Sequence, residues 1–250
     1  MVKPDIRQKK YDLFHKQTKV QLKIVPKNNF TYRNIISYID KYLKNKEQKV
    51  VDIGCGAGTI CFYIANEGNN VSGFDISSKA IKACKESSRV LNLDNLTRFK
   101  IVDFPEEYVE EKFDLIIFSE VIEHLRNDSL ALKRIYTMLN KGGIVIITTP
   151  SIHAPLYRLG YAKSFDKRVG HLRRYTVEGL SKQCEDIGLK VIEVGKTEGI
   201  LRNFLFLNPI MGKIVRLIKF SISDVVAFID NITIPIFGES NIIIIAQRNS

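Results

Sequence analysis

One stretch constrains the fold of this 250-residue chain more than any other. It is Val51-Asp52-Ile53-Gly54-Cys55-Gly56-Ala57-Gly58, followed by the helix-forming run 59–67 and, 17 residues past Gly58, by Asp75. A β-branched run that ends in alternating glycines lets the backbone turn sharply and approach a bound molecule with no Cβ in the way. Such a turn, at the carboxyl end of a first strand, is where open α/β sheets take ligands. A carboxylate ending the next strand is then placed to accept both hydroxyls of a ribose.

The surrounding pattern repeats this alternation. Short apolar runs at 49–53, 71–75, 97–102, 113–119, 144–149, 189–194 and 241–247 read as seven strands. Helices are expected at 59–67, at 78–91 capped by Ser77 or Ser78, at 128–139 capped by Asn127 or Asp128, and from Thr176 to near Gly188. Lys141-Gly142-Gly143 is expected to end the third of these. Strands this apolar, interleaved with helices, point to a mostly parallel sheet covered on both faces. The fold expected is therefore α/β, a doubly wound, mostly parallel seven-stranded sheet. Residues 1–48 form a basic N-terminal helical extension, with a helix at 32–43 that sets Ile35, Ile36, Ile39 and Leu43 on one stripe. Residues 49–250 form the main domain. Within it 151–175 is a basic lid segment, and 198–239, too long for a hairpin, is a helical insertion before the last strand.

The loop discriminates between ligands. The dinucleotide fingerprint G-x-G-x-x-G would place its third glycine at 59, where Thr59 stands, and the chain has G-x-G-x-G instead. That spacing resembles motif I of the class I S-adenosylmethionine (SAM)-dependent methyltransferases, which are Rossmann-like. The resemblance extends over 49–196 and resumes at the last strand. It implies that SAM is bound, and S-adenosylhomocysteine left, by Asp52, Gly54, Cys55, Gly56, Gly58, Asp75, Ile76, Asp103, Phe104 and Ser119, with Asp75 on the ribose and Asp103-Phe104 at the adenine. A sulfonium methyl is already activated, so the protein mainly aligns the acceptor and excludes water; a base is needed when the acceptor is a hydroxyl.

After the fourth strand comes Ser119-Glu120-Val121-Ile122-Glu123-His124-Leu125. If a helix starts here, Glu120, Glu123 and His124 share one face. His124 or Glu120 then serves as general base, with His171 alongside, or the carboxylates and His124 hold a divalent cation with a distant His171 or His153, or the segment simply lines the SAM pocket. The string resembles the E-x-x-E-H element of ubiquinone-biosynthesis O-methyltransferases and that of small-RNA 2′-O-methyltransferases, and recurs across the broad methyltransferase type 11-like group. The reading adopted assigns no metal; if one binds, its ligands are Glu120, Glu123, His124 and His171. Gly170-His171-Leu172-Arg173-Arg174-Tyr175-Thr176 resembles a stretch of the same group. Arg173, Arg174 and Tyr175 are candidates to bind the acceptor, against a plain role as an ordered lid with a helix cap.

Charge bears on the acceptor rather than the chemistry. Of a net +11, residues 1–48 hold 12 basic side chains against 4 acidic and 151–175 hold 6 against 1, while 49–150 are slightly acidic. These basic segments admit nucleic acid, an anionic membrane surface or an acidic acceptor. On a helical wheel, 210–222 separates an apolar arc from Lys213, Arg216 and Lys219, beside the apolar stretches 204–207 and 225–236. This suits a membrane surface or a lipid-like acceptor, or a lid packed on the core. The expectation is a SAM-dependent methyltransferase acting on a small or lipid-like hydroxyl acceptor. The alternatives are an RNA 2′-O-methyltransferase using the Glu/Glu/His element, or a catalytically idle nucleotide-binding module. With no membrane-spanning run, no secretory leader and four unpaired-looking cysteines, a cytoplasmic location, peripheral to a membrane, is the expectation.

Overall fold

A computed structural model describes residues 6–43, 47–207 and 220–249. The seven strands are β1 (Lys49–Ile53), β2 (Asn70–Asp75), β3 (Thr97–Ile101), β4 (Phe113–Ser119), β5 (Leu139–Pro150), β6 (Leu189–Thr197) and β7 (Asn241–Arg248). They form one sheet in the order β3-β2-β1-β4-β5-β7-β6, parallel except for β7, which runs antiparallel to both neighbours. The fold is thus α/β with a mostly parallel seven-stranded sheet, as the strand pattern predicts.

The two-residue period of the strands sorts the core. Val51, Ile116, Val145 and Ile244 face one layer, built on α5 (Asp128–Met138) and α8 (Val177–Asp186). Val50, Leu115, Ile144 and Ile245 face the other, built on α2 (Arg33–Tyr42), α3 (Thr59–Asn66) and α4 (Ser78–Val90). Ile35, Ile36 and Ile39 of α2 are buried in that second layer, with Leu43 packed at its margin. The helix caps fall at Ser77, Asn127 and Thr176, whose side-chain oxygens accept from Ala80, Leu130 and Gly179 amides.

Two local expectations are corrected. The Gly142-Gly143 pair does not separate α5 from a strand starting at 144. β5 begins at Leu139, paired with Phe113, and the register jumps to Leu115 opposite Ile144. Gly142 adopts φ +72°, and a Cβ on Gly143 would lie 2.9 Å from the Asn140 carbonyl, so the glycines make a bulge inside the strand. Nor does an α-helix follow β4. Glu120 turns to φ +57° while its amide continues the ladder to Thr148 O, and only a 3-10 turn forms, at Ile122–His124. The glutamates therefore do not share a helix face.

The N-terminal α1 (Ile6–Phe14) lies against α4, and α6 (Pro155–Arg158) and α7 (Lys163–Val169) follow β5. Between β6 and β7 stand α9 (Ile200–Leu207) and α10 (Phe220–Phe237). The amphipathic stretch expected over 210–222 lies, up to residue 219, outside the described residues. No helix among the described residues is long and apolar enough to cross a membrane. All four cysteines are buried and unbridged.

Candidate active site

The strand order reverses at β1, with β2 and β3 to one side and β4 onward to the other, which opens a crevice at the carboxyl edge. A cavity of about 760 Å³ occupies it. Gly54 and Gly58 both adopt φ +78°. A Cβ on Gly54 would sit 2.3 Å from Val121, and one on Gly58 3.0 Å from the Cys84 sulfur and the Phe62 ring, so both positions demand glycine on two counts. The Gly54 and Cys55 amides donate to Phe74 O at 2.7 and 2.9 Å, which pins the loop to β2.

Asp75 ends β2 and is buried. Its Oδ2 accepts from the Gly56 amide at 2.9 Å and its Oδ1 from the Ser77 amide at 2.8 Å. Each oxygen keeps a second lone pair, and the carboxylate borders the cavity with Ile76. Asp52, wholly buried in β1, is pushed up to about 7 by desolvation, with the Cys61 thiol as its hydrogen-bond donor. Asp103, Phe104 and Ser119 complete this lobe. Arg7 pairs with Asp103 at 3.2 Å, and the Ser119 and Thr148 hydroxyls share a 2.7 Å bond. Of the ten residues expected at the donor, Gly58 alone is not on the cavity wall; it turns the chain into α3.

The sequence gives no sign that the N-terminal extension closes this lobe, yet Arg7, Tyr11, Phe14 and His15 form part of its wall. The Asp12 carboxylate anchors α1 by accepting from the Ser77 hydroxyl at 2.7 Å and from the Ser78 hydroxyl at 3.1 Å. Gln21 donates to Ala57 O and to the Thr59 hydroxyl, both at 2.8 Å. Helical periodicity alone cannot assign an exposed basic helix such as α1 to a partner surface.

On the same wall His124, edge-on to Tyr11 of α1, and His171 converge with the buried Glu123, one ligand atom of each within 4.8 Å of the others. His124 Nδ1 bonds Gly170 O at 3.1 Å and His171 Nδ1 bonds Asp166 at 3.0 Å. With both Nδ1 atoms donating, the two Nε2 atoms face Glu123 Oε1, at 4.0 and 3.9 Å. That buried Oε1 has no hydrogen-bond partner, and burial holds the Glu123 carboxyl well above the usual range. Glu120 stands apart, its Oε1 accepting from Thr148 and Asn241 at 2.9 and 2.7 Å. His153 is exposed and lies elsewhere.

The basic segment is internally paired. Arg174 borders the cavity but donates twice to Asp166, at 2.8 and 2.6 Å, while Arg173 and the Tyr175 hydroxyl both bind Asp128. Neither Arg173 nor Tyr175 is on the cavity wall. The cavity wall also carries polar groups that sequence reasoning missed: Asn34 from α2, Glu198 after β6 and Asn241 opening β7. Asn34 Nδ2 and Asn241 Oδ1 are buried without partners. Glu198 adopts φ +63°, and burial pushes it up to about 7. β6 runs parallel to β5, so Glu198 reaches the same sheet edge as Asp75 and Glu120. No motif marks it.

A family profile described as "Methyltransferase domain" matches residues 44–203. The chain belongs to the methyltransferase domain family. Its fold is that of SAM-dependent methyltransferases. The phosphoethanolamine N-methyltransferase 2 of Haemonchus contortus, solved with SAM, superposes with a TM-score of 0.65 at 20% identity, over 88% of this chain and 53% of that one. The magnesium protoporphyrin IX methyltransferase of Synechocystis, solved with S-adenosylhomocysteine, gives 0.64 at 18% identity, over 96% and 95%. In sequence, this methyltransferase-domain chain is 34% identical over 112 residues to the ubiquinone biosynthesis O-methyltransferase of Nitrobacter winogradskyi, 45% of this chain and 42% of the relative. The chain thus spans less than half the length of that curated relative.

Proposed function

We propose that the cavity binds SAM and that the chain transfers its methyl group to a hydroxyl of a small or lipid-like acceptor. The observation that carries this reading is the Asp75 carboxylate. Two backbone amides fix it at the rim of a glycine loop, and its spare lone pairs are available to ribose hydroxyls. Ten positions support the donor site: Asp52, Gly54, Cys55, Gly56, Asp75, Ile76, Asp103, Phe104 and Ser119 on the wall, and Gly58 behind it. Phe104 and Ile76 offer apolar surface to a purine, and α1 shuts out water from above. The acceptor lobe of the cavity is the part lined by Asn34, Asn241, Glu198 and Arg174, which orient the acceptor, while Arg173 and Tyr175 hold the segment in place through Asp128. His124, His171 and Glu120 remain the groups proposed to receive the hydroxyl proton. The identity to ubiquinone biosynthesis O-methyltransferases supports an oxygen acceptor.

A divalent cation is a second reading, favoured by the orphaned Glu123 Oε1 facing the Nε2 atoms of two histidines. The residues fit. Glu123, His124 and His171 would hold the ion, with Gly170 O and Asp166 fixing the ring tautomers from behind. A bound cation supplies Lewis acidity that lowers the pKa of an acceptor hydroxyl. Glu120 is not part of this set.

A methyl-transfer screen with labelled SAM against catechols, lipid extracts and RNA tests the reading. Label in the catechol or lipid fraction supports it; label in RNA alone transfers the function to the nucleic-acid alternative.

A further inference from the structure

We propose that the outward face of α10 docks the protein on an anionic lipid bilayer, with the acceptor lobe of the cavity next to the membrane. The helix is packed inside out. Ser223 and Asp230 are buried, while Val225, Phe228, Ile229, Ile232 and Ile236 are exposed, Phe228 at 68% and Ile236 at 72%. At 100° per residue these five fall within one arc of about 100° that runs for about 16 Å along the helix.

The orientation is fixed from within. Asp230 accepts from the Gly199 and Arg202 amides at 2.8 and 3.0 Å and so caps α9. Ser223 donates to Asn28 O and accepts from Arg33, which also pairs with Asp224 at 2.8 Å. With Ser223 and Asp230 committed inward, and exposed Asp224 and Asn231 lying to one side, the arc from Val225 to Ile236 is hydrocarbon. Five adjacent exposed apolar side chains on one helix are more than scattered surface hydrophobics.

The surroundings select a bilayer as the occupant. A Cβ on Gly238, just past α10, would lie 2.6 Å from His153 O, so the C-terminal end of α10 adjoins the start of the basic segment 151–175. There Arg158, Lys163, Lys167 and Arg168 are exposed beside exposed Leu159 and Tyr161. The segment's one acid, Asp166, is paired with Arg174 and hydrogen-bonded to His171. Among the described residues none of these four cations is in an ion pair, and an apolar helix face with exposed cations on the adjoining segment is complementary to anionic headgroups over acyl chains. The same elements carry Phe165 and Val169 of the cavity wall, and α9 carries Asn203 and Phe206. This deepens the proposed lipid-like acceptor and rests on that reading for its purpose, not for the docking itself.

The test is sedimentation of the full chain, without SAM, with vesicles of phosphatidylcholine alone and with about 30% phosphatidylglycerol added. Retention on the anionic vesicles is expected, reduced about tenfold or more in a Phe228→Ser/Ile232→Ser variant and lowered in Lys167→Glu/Arg168→Glu. Val90→Ser, an exposed apolar residue on α4, should sediment like wild type, and calorimetric SAM binding should be equal in all four proteins. Wild type that stays in the supernatant, or a double serine variant retained like wild type, overturns the proposal. So does a wild-type dimer in solution that the serine variant converts to monomer, because a second copy then covers the face. Methyl transfer is not read, so failure here is separate from failure of the proposed activity.

Discussion

His171 Nε2 faces Glu123 Oε1 across 3.9 Å, too far for a hydrogen bond. Adjacent ligand atoms around an ion with bonds of about 2.1 Å stand roughly 3.0–3.4 Å apart, so a small inward movement would close the cluster on a cation. Titration with Mn²⁺ should show saturable binding that His171→Ala abolishes, and chelation should lower methyl transfer. Heats indistinguishable from dilution would leave the three residues a proton-handling group without a metal.

α1 should matter for holding the donor. Asp12 ties it to the start of α4 through the Ser77 and Ser78 hydroxyls. Losing a carboxylate hydrogen-bonded at a helix start costs about 0.5–2 kcal/mol, so Asp12→Ala should weaken SAM binding by roughly two- to thirtyfold and speed its release. Stopped-flow release rates equal to wild type would show that α1 is not a gate.

Gly58→Ala should destabilise the fold by about 1–3 kcal/mol without removing a SAM contact. The new methyl meets Cys84 and Phe62 at 3.0 Å on a backbone at φ +78°. Urea unfolding reads the stability, and an unchanged midpoint would contradict this account of the loop.

Asp52 gives stability a pH dependence of known sign. Its carboxyl titrates near 7 when folded, against an ordinary value of 3.8. Between those values the folded chain keeps a proton that the unfolded chain has lost, so this group's contribution falls as pH rises, by up to roughly 1.4 kcal/mol per unit. Asp52→Asn removes the term, and the variant should gain on wild type steadily from pH 4 to 7 and no further above. A pH-independent difference in denaturant midpoints would mean that Asp52 is ionised throughout.

How far the sequence could be read follows from what each feature depends on. The strands of the sheet, Asp75 and the glycine loop were legible because period-two apolar runs and glycine spacing are local. The face shared by Glu120, Glu123 and His124 was not, because Glu120 turns left-handed where β4 meets β5, and only the ladder to Thr148 shows this. Arg173 and Arg174 look free in sequence, but their partners Asp128 and Asp166 are assigned by tertiary packing. Glu198 and Asn241 come to the cavity through the antiparallel β7, a topological fact with no signature in either residue. The outward apolar arc of α10 is set by Asp230 capping a different helix, a tertiary contact without which the sequence leaves 225–236 open to either a membrane surface or a lid packed on the core.

The central claim is that Asp75 holds the ribose of SAM beside the glycine loop. Calorimetric titration of the full chain with SAM tests it most directly. Wild type should bind one SAM per chain, and Asp75→Ala should bind it about a hundredfold more weakly, the cost of two hydrogen bonds to a carboxylate at about 1.5 kcal/mol each. Equal affinities for the two proteins would contradict the account.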